Sequence, residues 1–184
     1  MPSLVYPTEM TKEEFKTRVL PVKGKLFRLA VTMLSSRQEA EDTIQDAYLK
    51  LWNMRERLSE YSSIEALAVT VTKNLCFDKL RSYRNRKQNN GGLEHMQLVS
   101  AGQKNPAETV ELDESLQHVH EIIGQLPDQQ RLVIHLRDIE QYSYEEIAEM
   151  TGLKVNNIRV ALSRARKSVR EEYQKKQNYE QRKS

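Results

Sequence analysis

Cysteine is almost absent from this sequence: Cys76 is the only one in 184 residues. No intramolecular disulfide is therefore possible, and no cysteine-rich zinc site can form. Lying between Leu75 and Phe77, its thiol reads as buried and inert. Long apolar runs are missing too. No segment approaches the roughly 20 apolar residues needed to cross a bilayer. The N-terminus carries Glu9, Glu13 and Glu14 and has no apolar run of the signal-peptide kind. A cytoplasmic chain with no membrane insertion of its own is expected. No alternating strand pattern persists, and there is no long internal repeat. Catalysis finds no foothold, because there is no glycine-rich phosphate loop and no serine or cysteine nucleophile motif. His95, His118, His120 and His135 make no metal-ligand set with nearby carboxylates. His118 and His120, two apart, point to different sides of a helix and read as surface residues. No catalytic residue, metal or cofactor is expected.

What is present is charge and helical periodicity. Charged residues make up 30% of the chain and hydrophobic ones 38%, which suits small helical modules better than one large globule. The net charge of +3 is modest, so its distribution is more informative than its size. Lys73, Lys79, Arg81, Arg84, Arg86 and Lys87 form one basic stretch, opposed only by Asp78. Lys154, Arg159, Arg164, Arg166, Lys167 and Arg170 form a second, free of acids. Acidic residues gather elsewhere, at Glu39, Glu41, Asp42 and Asp46. Two basic blocks fit a chain that touches a polyanion in two places.

The periodicity predicts an all-α fold of two small helical domains joined by a flexible linker. Thr11 with Glu14, Ser36 with Glu39, and Ser143 with Glu146 have capping-box spacing and mark three helix starts. Phe15, Val19, Val22, Leu26, Leu29 and Val31 recur at helical spacing, with a bend expected at Pro21. Ala40, Ile44, Ala47, Tyr48 and Leu51 give the next stripe, and a long helix is expected over residues 64–87. Residues 88–105, with Asn89, Asn90, Gly91 and Gly92, read as the linker. Helix resumes near Pro106, and Pro127 opens another with Leu132, Val133, Leu136 and Ile139 inward. The domains are thus placed at 11–87 and 106–173, with a polar tail at 174–184 that is expected to fray.

The sharpest local pattern spans residues 143–169. A short helix with Ile147 and Ala148 is followed by Gly152 at turn spacing, then by a helix with Ile158, Leu162, Ala165 and Val169 on one face. The other face carries Asn156, Asn157, Arg159, Val160, Ser163, Arg164 and Lys167. That is a helix-turn-helix arrangement, whose second helix can enter the major groove. The bland alternative is a solvated hairpin. A basic run such as residues 73–87 is by itself usually a solvated face as well. On the helix from Arg37, residues Asp42, Gln45, Asp46, Leu49 and Trp52 share an outer face that suits protein docking. Periodicity alone allows equally that Trp52 is core.

These stretches resemble a known family. AEDTIQDAYLKLW, from Ala40 to Trp52, looks like the polymerase-binding motif of extracytoplasmic-function (ECF) sigma factors. TKNLCFDKLR, from Thr72 to Arg81, looks like their downstream-promoter helix. Leu126 and Pro127 through Arg137 and Asp138, then SYEEIA from Ser143 and LSRARK from Leu162, look like their fourth conserved region. The likeness runs from about Phe15 to Tyr173. It implies a non-enzymatic transcription initiation factor with sigma regions two and four, monomeric when free. Asp42, Gln45, Asp46, Leu49 and Trp52 would face core RNA polymerase. Tyr61, Ser62, Ser63, Lys73, Asn74, Asp78, Arg81 and Arg84 would engage the melted downstream (minus-ten) element. The helix from Val155 would read the upstream (minus-thirty-five) element. An anti-sigma factor is implied as a further partner. The chain departs from the family pattern at aliphatic Leu67, at Val155, Asn156 and Asn157, and at Ala161. A helix-turn-helix regulator acting without polymerase, or a helical protein-binding adaptor, are the alternatives.

Overall fold

The computed structural model describes residues 10–89 and 114–181. Helix α1 (Lys12–Arg18) starts at Thr11, where the expected capping box is complete: Glu14 N–H donates to Thr11 Oγ1 at 3.2 Å, and Thr11 N–H to the Glu14 carboxylate at 2.8 Å. The bend expected at Pro21 is a 3-10 turn (Leu20–Val22), which leads into α2 (Lys23–Leu34). Helix α2 stops at Ser35, which adopts the left-handed conformation with φ 53°. Helix α3 (Arg37–Asn53) follows, then a 3-10 turn (Arg55–Glu60) and the long α4 (Ile64–Asn89). Leu26, Leu29, Met33, Leu51 and Leu58 are wholly buried among these elements. Each such side chain contributes on the order of 1.5–3 kcal/mol of transfer free energy, which these helices could not supply from propensity alone.

The second group comprises α5 (Glu114–Gln125), α6 (Asp128–Ile134), a π-turn (His135–Ile139), α7 (Tyr144–Thr151) and α8 (Val155–Gln181). The helix start expected near Pro106 and the linker core at 90–105 lie outside the described residues. Gln88 and Asn89, assigned to the linker, are the last turn of α4. The π-turn alters the inward set expected after Pro127. Its Glu140 N–H reaches back five residues to His135 C=O at 3.0 Å, so the register advances by one residue. Ile134 and His135, ahead of that shift, are buried with Leu132, Val133 and Leu136, while Ile139, beyond it, is only half-buried. The stretch assigned to the polar tail is helical as far as it is described. Helix α8 continues to Gln181, with Lys175 paired to Glu172 at 2.5 Å and Lys176 within 3.0 Å of His118 Nδ1.

The two groups meet. Helix α2 lies against α5, α6 and the π-turn, and α4 lies against α7. Buried apolar residues from Met10 to Ala165 form one continuous cluster. At Gly124 a Cβ would come within 3.2 Å of Ser35 Oγ, so the close approach of α5 to the end of α2 favours a residue without a side chain.

Candidate nucleic-acid and docking surfaces

Helices α7 and α8 form the helix-turn-helix that residues 143–169 foreshadow. Ser143 and Glu146 complete their capping box, with the Ser143 N–H donating to the Glu146 carboxylate at 2.7 Å. Gly152 closes α7 at φ 72°, a conformation in which any Cβ is strained. Ile147 and Met150 of α7 and Ile158, Leu162 and Ala165 of α8 are all buried. Asn156, Asn157, Arg159, Val160, Ser163, Arg164 and Lys167 are all exposed along the opposite side of α8. Val160 is exposed amid amide and basic side chains, so it does not belong to the core. Arg166 stands apart from them. It grips Asp138 with two bonds of 2.9 and 2.6 Å, so it braces α8 against the π-turn.

Along α4 the basic residues divide. Asn74, Asp78 and Arg81 are exposed, with Arg81 3.9 Å from Asp78. Lys73 is half-buried and donates to Met150 C=O at 3.1 Å, and Arg84 pairs with Asp128. Burial lowers the pKa of the Lys73 ammonium. With Phe77, Gln129, Leu132, Thr151 and Leu153, residues Lys73, Asn74, Asp78 and Arg81 line a cleft of about 350 Å³. In the turn before α4, Tyr61 is half-buried and Ser62 is exposed. Ser63 accepts the Ala66 N–H at 3.1 Å, so its hydroxyl caps α4.

The outer face of α3 exposes Asp42, Gln45 and Asp46 around Leu49, which is 61% exposed. Trp52 is half-buried at the edge of this face. It meets Phe15 edge-on at a centroid distance of 5.1 Å, beneath the Arg55 guanidinium at 5.0 Å. Leu49, rather than Trp52, is thus the apolar centre. At the start of α3 Ser36 caps Glu39 N–H at 3.3 Å, but the expected reciprocal box is absent. The Glu39 carboxylate is taken by Lys79 of α4 at 2.8 Å, which lowers its pKa and ties the two helices together.

Known proteins carry the same two halves. Residues 19–86 match the family description Sigma-70 region 2, and residues 116–169 match Sigma-70, region 4. The chain belongs to the sigma-70 family, in its ECF group. It is 29% identical to the RNA polymerase sigma-H factor of Pseudomonas aeruginosa over 86% of this chain and 85% of that one. It is 25% identical to the ECF RNA polymerase sigma factor SigW of Bacillus subtilis, over 82% and 83% of the two chains. The sigma factor RpoE from Bartonella quintana, solved with the anti-sigma factor NepR, superposes with a TM-score of 0.74. Its sequence is 27% identical, and the match covers 86% of this chain and 96% of that one. The chain is accordingly an alternative sigma factor that acts in promoter-specific transcription initiation.

In this sigma factor regions 2 and 4 are also tied by polar contacts that periodicity does not reveal. Arg28 of α2 grips Glu140 with bonds of 2.7 and 2.9 Å. Thr32 Oγ1 lies 2.9 Å from His135 Nδ1, and Arg131 donates to Met33 C=O at 2.7 Å. Tyr142 donates to Glu65, which also takes Lys25 at 2.5 Å. Burial pushes the Glu65 carboxyl up, but those two bonds outweigh it and its pKa falls. His135 is fully buried, and burial drives its pKa down to about 4 despite Glu140 Oε1 at 3.6 Å. Glu140 is spent on Arg28, and 3.6 Å is too long for a hydrogen bond, so His135 Nε2 has no partner. His118, expected at the surface, has only 16% of its side chain exposed and packs against Tyr173. No group of three or more His, Cys, Asp or Glu among the described residues could hold a metal ion. No described helix is long and apolar enough to cross a membrane.

Proposed function

We propose that this sigma factor divides its work among three helical faces. The α3 face centred on Leu49, with Asp42, Gln45, Asp46 and the edge of Trp52, docks on core RNA polymerase. The α4 face, with Lys73, Asn74, Asp78, Arg81 and Arg84 and the preceding turn at Tyr61, Ser62 and Ser63, takes the strand-separated downstream element. The α8 face reads the upstream element in the major groove. The last assignment is carried by one observation: all seven of its polar, basic and apolar groove-facing candidates are exposed on one side of a buried helix-turn-helix. The factor supplies recognition and no bond-making chemistry, and acts where the polymerase acts, in the cytoplasm.

The inter-region contacts give this reading a sequence of events. Lys73 is half-buried against Met150 and Arg84 is paired with Asp128, so departure of region 4 would free both side chains fully for DNA phosphates. An anti-sigma factor that favoured the joined form would keep them engaged. The Bartonella relative, solved with the anti-sigma factor NepR, supports an anti-sigma partner. Footprinting with permanganate reactivity separates the two promoter roles. Arg159→Ala is expected to lose upstream preference while holoenzyme assembly stays intact. Arg81→Ala is expected to bind promoters and open them poorly, because its contact comes with strand separation. Normal opening by Arg81→Ala would remove the α4 assignment.

A further inference from the structure

We propose that Tyr144 is a positioning residue for upstream-element reading: it holds the Arg159 side chain ready for a base, acting through Arg159 rather than as a DNA contact. The inference rests on the major-groove reading of α8. Tyr144 is the first residue of α7, where the Ser143–Glu146 capping box fixes its backbone. The Arg159 guanidinium carbon lies 5.2 Å from the centroid of its ring. That of Arg137 lies 4.9 Å from the same ring, and Arg137 is itself anchored by donating to Tyr142 C=O at 2.7 Å. Anchored Arg137, half-buried Tyr144 and exposed Arg159 thus link the π-turn, α7 and α8 in series.

The chemistry distinguishes this contact from an ordinary brace. Arg166, on the same helix, is held by two bonds to Asp138, and those donors are spent. Attraction to the negative face of an aromatic ring holds a guanidinium without consuming an N–H donor. A free, pre-oriented fork is what bidentate recognition of a guanine edge requires, since ordering a mobile arginine otherwise detracts from binding. The ring therefore supplies orientation and leaves the recognition edge open.

The test is reconstituted holoenzyme transcribing a promoter library with a randomised upstream element. Arg159→Ala is expected to relax preference at one base position, by about 5- to 150-fold. Tyr144→Leu should relax that same position by about 2- to 5-fold and leave the others unchanged. Tyr144→Phe, which keeps the ring face, should stay within about twofold of wild type. In the Arg159→Ala background, Tyr144→Leu should add nothing. A partly unfolded variant lowers all promoters together, so position-resolved preference separates positioning from folding. Equal weakening at every position, or an effect that adds to Arg159→Ala, overturns the proposal. An Arg159→Ala protein with unchanged preference at every position overturns the groove reading itself, and the proposal with it, without reference to Tyr144.

Discussion

His135 shows how one side chain records the state of the whole interface. Buried and neutral, it has a folded pKa of about 4 against an ordinary value of 6.5. The unfolded chain binds the extra proton between those values, so stability is full above about pH 6.5 and declines as pH falls toward 4. The loss is on the order of 3 kcal/mol if the whole shift is expressed. The carboxylates of Glu39 and Glu65, whose pKa values are lowered, add their own loss only below their ordinary value of 4.5. Urea denaturation across pH 7.5 to 5 should therefore show a slope that His135→Gln, which cannot titrate, removes. A slope unchanged in that variant would assign it to other groups. Cys76 offers a simpler test: burial pushes its thiol up to about 12, so a thiol reagent at pH 8 should label only the unfolded chain. That burial was legible in the sequence, from the apolar neighbours of Cys76. The burial of His135 was not, because a polar side chain leaves no mark in an apolar pattern.

Elements were the most legible scale. Capping spacing located the starts of α1, α3 and α7, and Gly152 located the end of α7, because these signals act within one helical turn. Ser143→Ala should cost about 1 kcal/mol of stability by leaving the Glu146 N–H without its cap, measurable as a lower denaturation midpoint. On α3, Asp46→Arg reverses a charge beside Leu49 without touching the core. It should weaken co-purification with core polymerase while leaving the helical signal unchanged; undiminished holoenzyme formation would put the docking face elsewhere. The reciprocal box at Ser36 failed because Lys79, forty residues on, competes for Glu39. Spacing describes a local option, and a distant cation can outbid it.

At the scale of the whole molecule the joined arrangement of regions 2 and 4 sets which surfaces are free. The faces proposed for docking on α3 and for reading on α8 are open, whereas Lys73 and Arg84 of α4 make contacts with region 4. Glu140 has only 4% of its side chain exposed and receives Arg28 from the other region. Glu140→Lys places two like charges there, a far larger perturbation than loss of an exposed pair. Small-angle scattering should show a larger radius of gyration for that variant at unchanged helix content. An unchanged radius would mean that the apolar contacts hold the regions together without Glu140.

The sequence by itself determined the helices, their apolar faces, two of the three reciprocal caps, and the family whose motifs they carry. Those are properties of neighbours within a turn or two, which periodicity reports directly. Only the tertiary structure decided which charged residues are free. It took Arg166, Lys73, Arg84 and Glu39 into pairs, half-buried Trp52 against Phe15, and set Tyr144 beside Arg159. Periodicity states which side of a helix is apolar but not what faces its polar side. The Arg28–Glu140 pair spans 112 residues, a separation at which only the packing of helices chooses the partner.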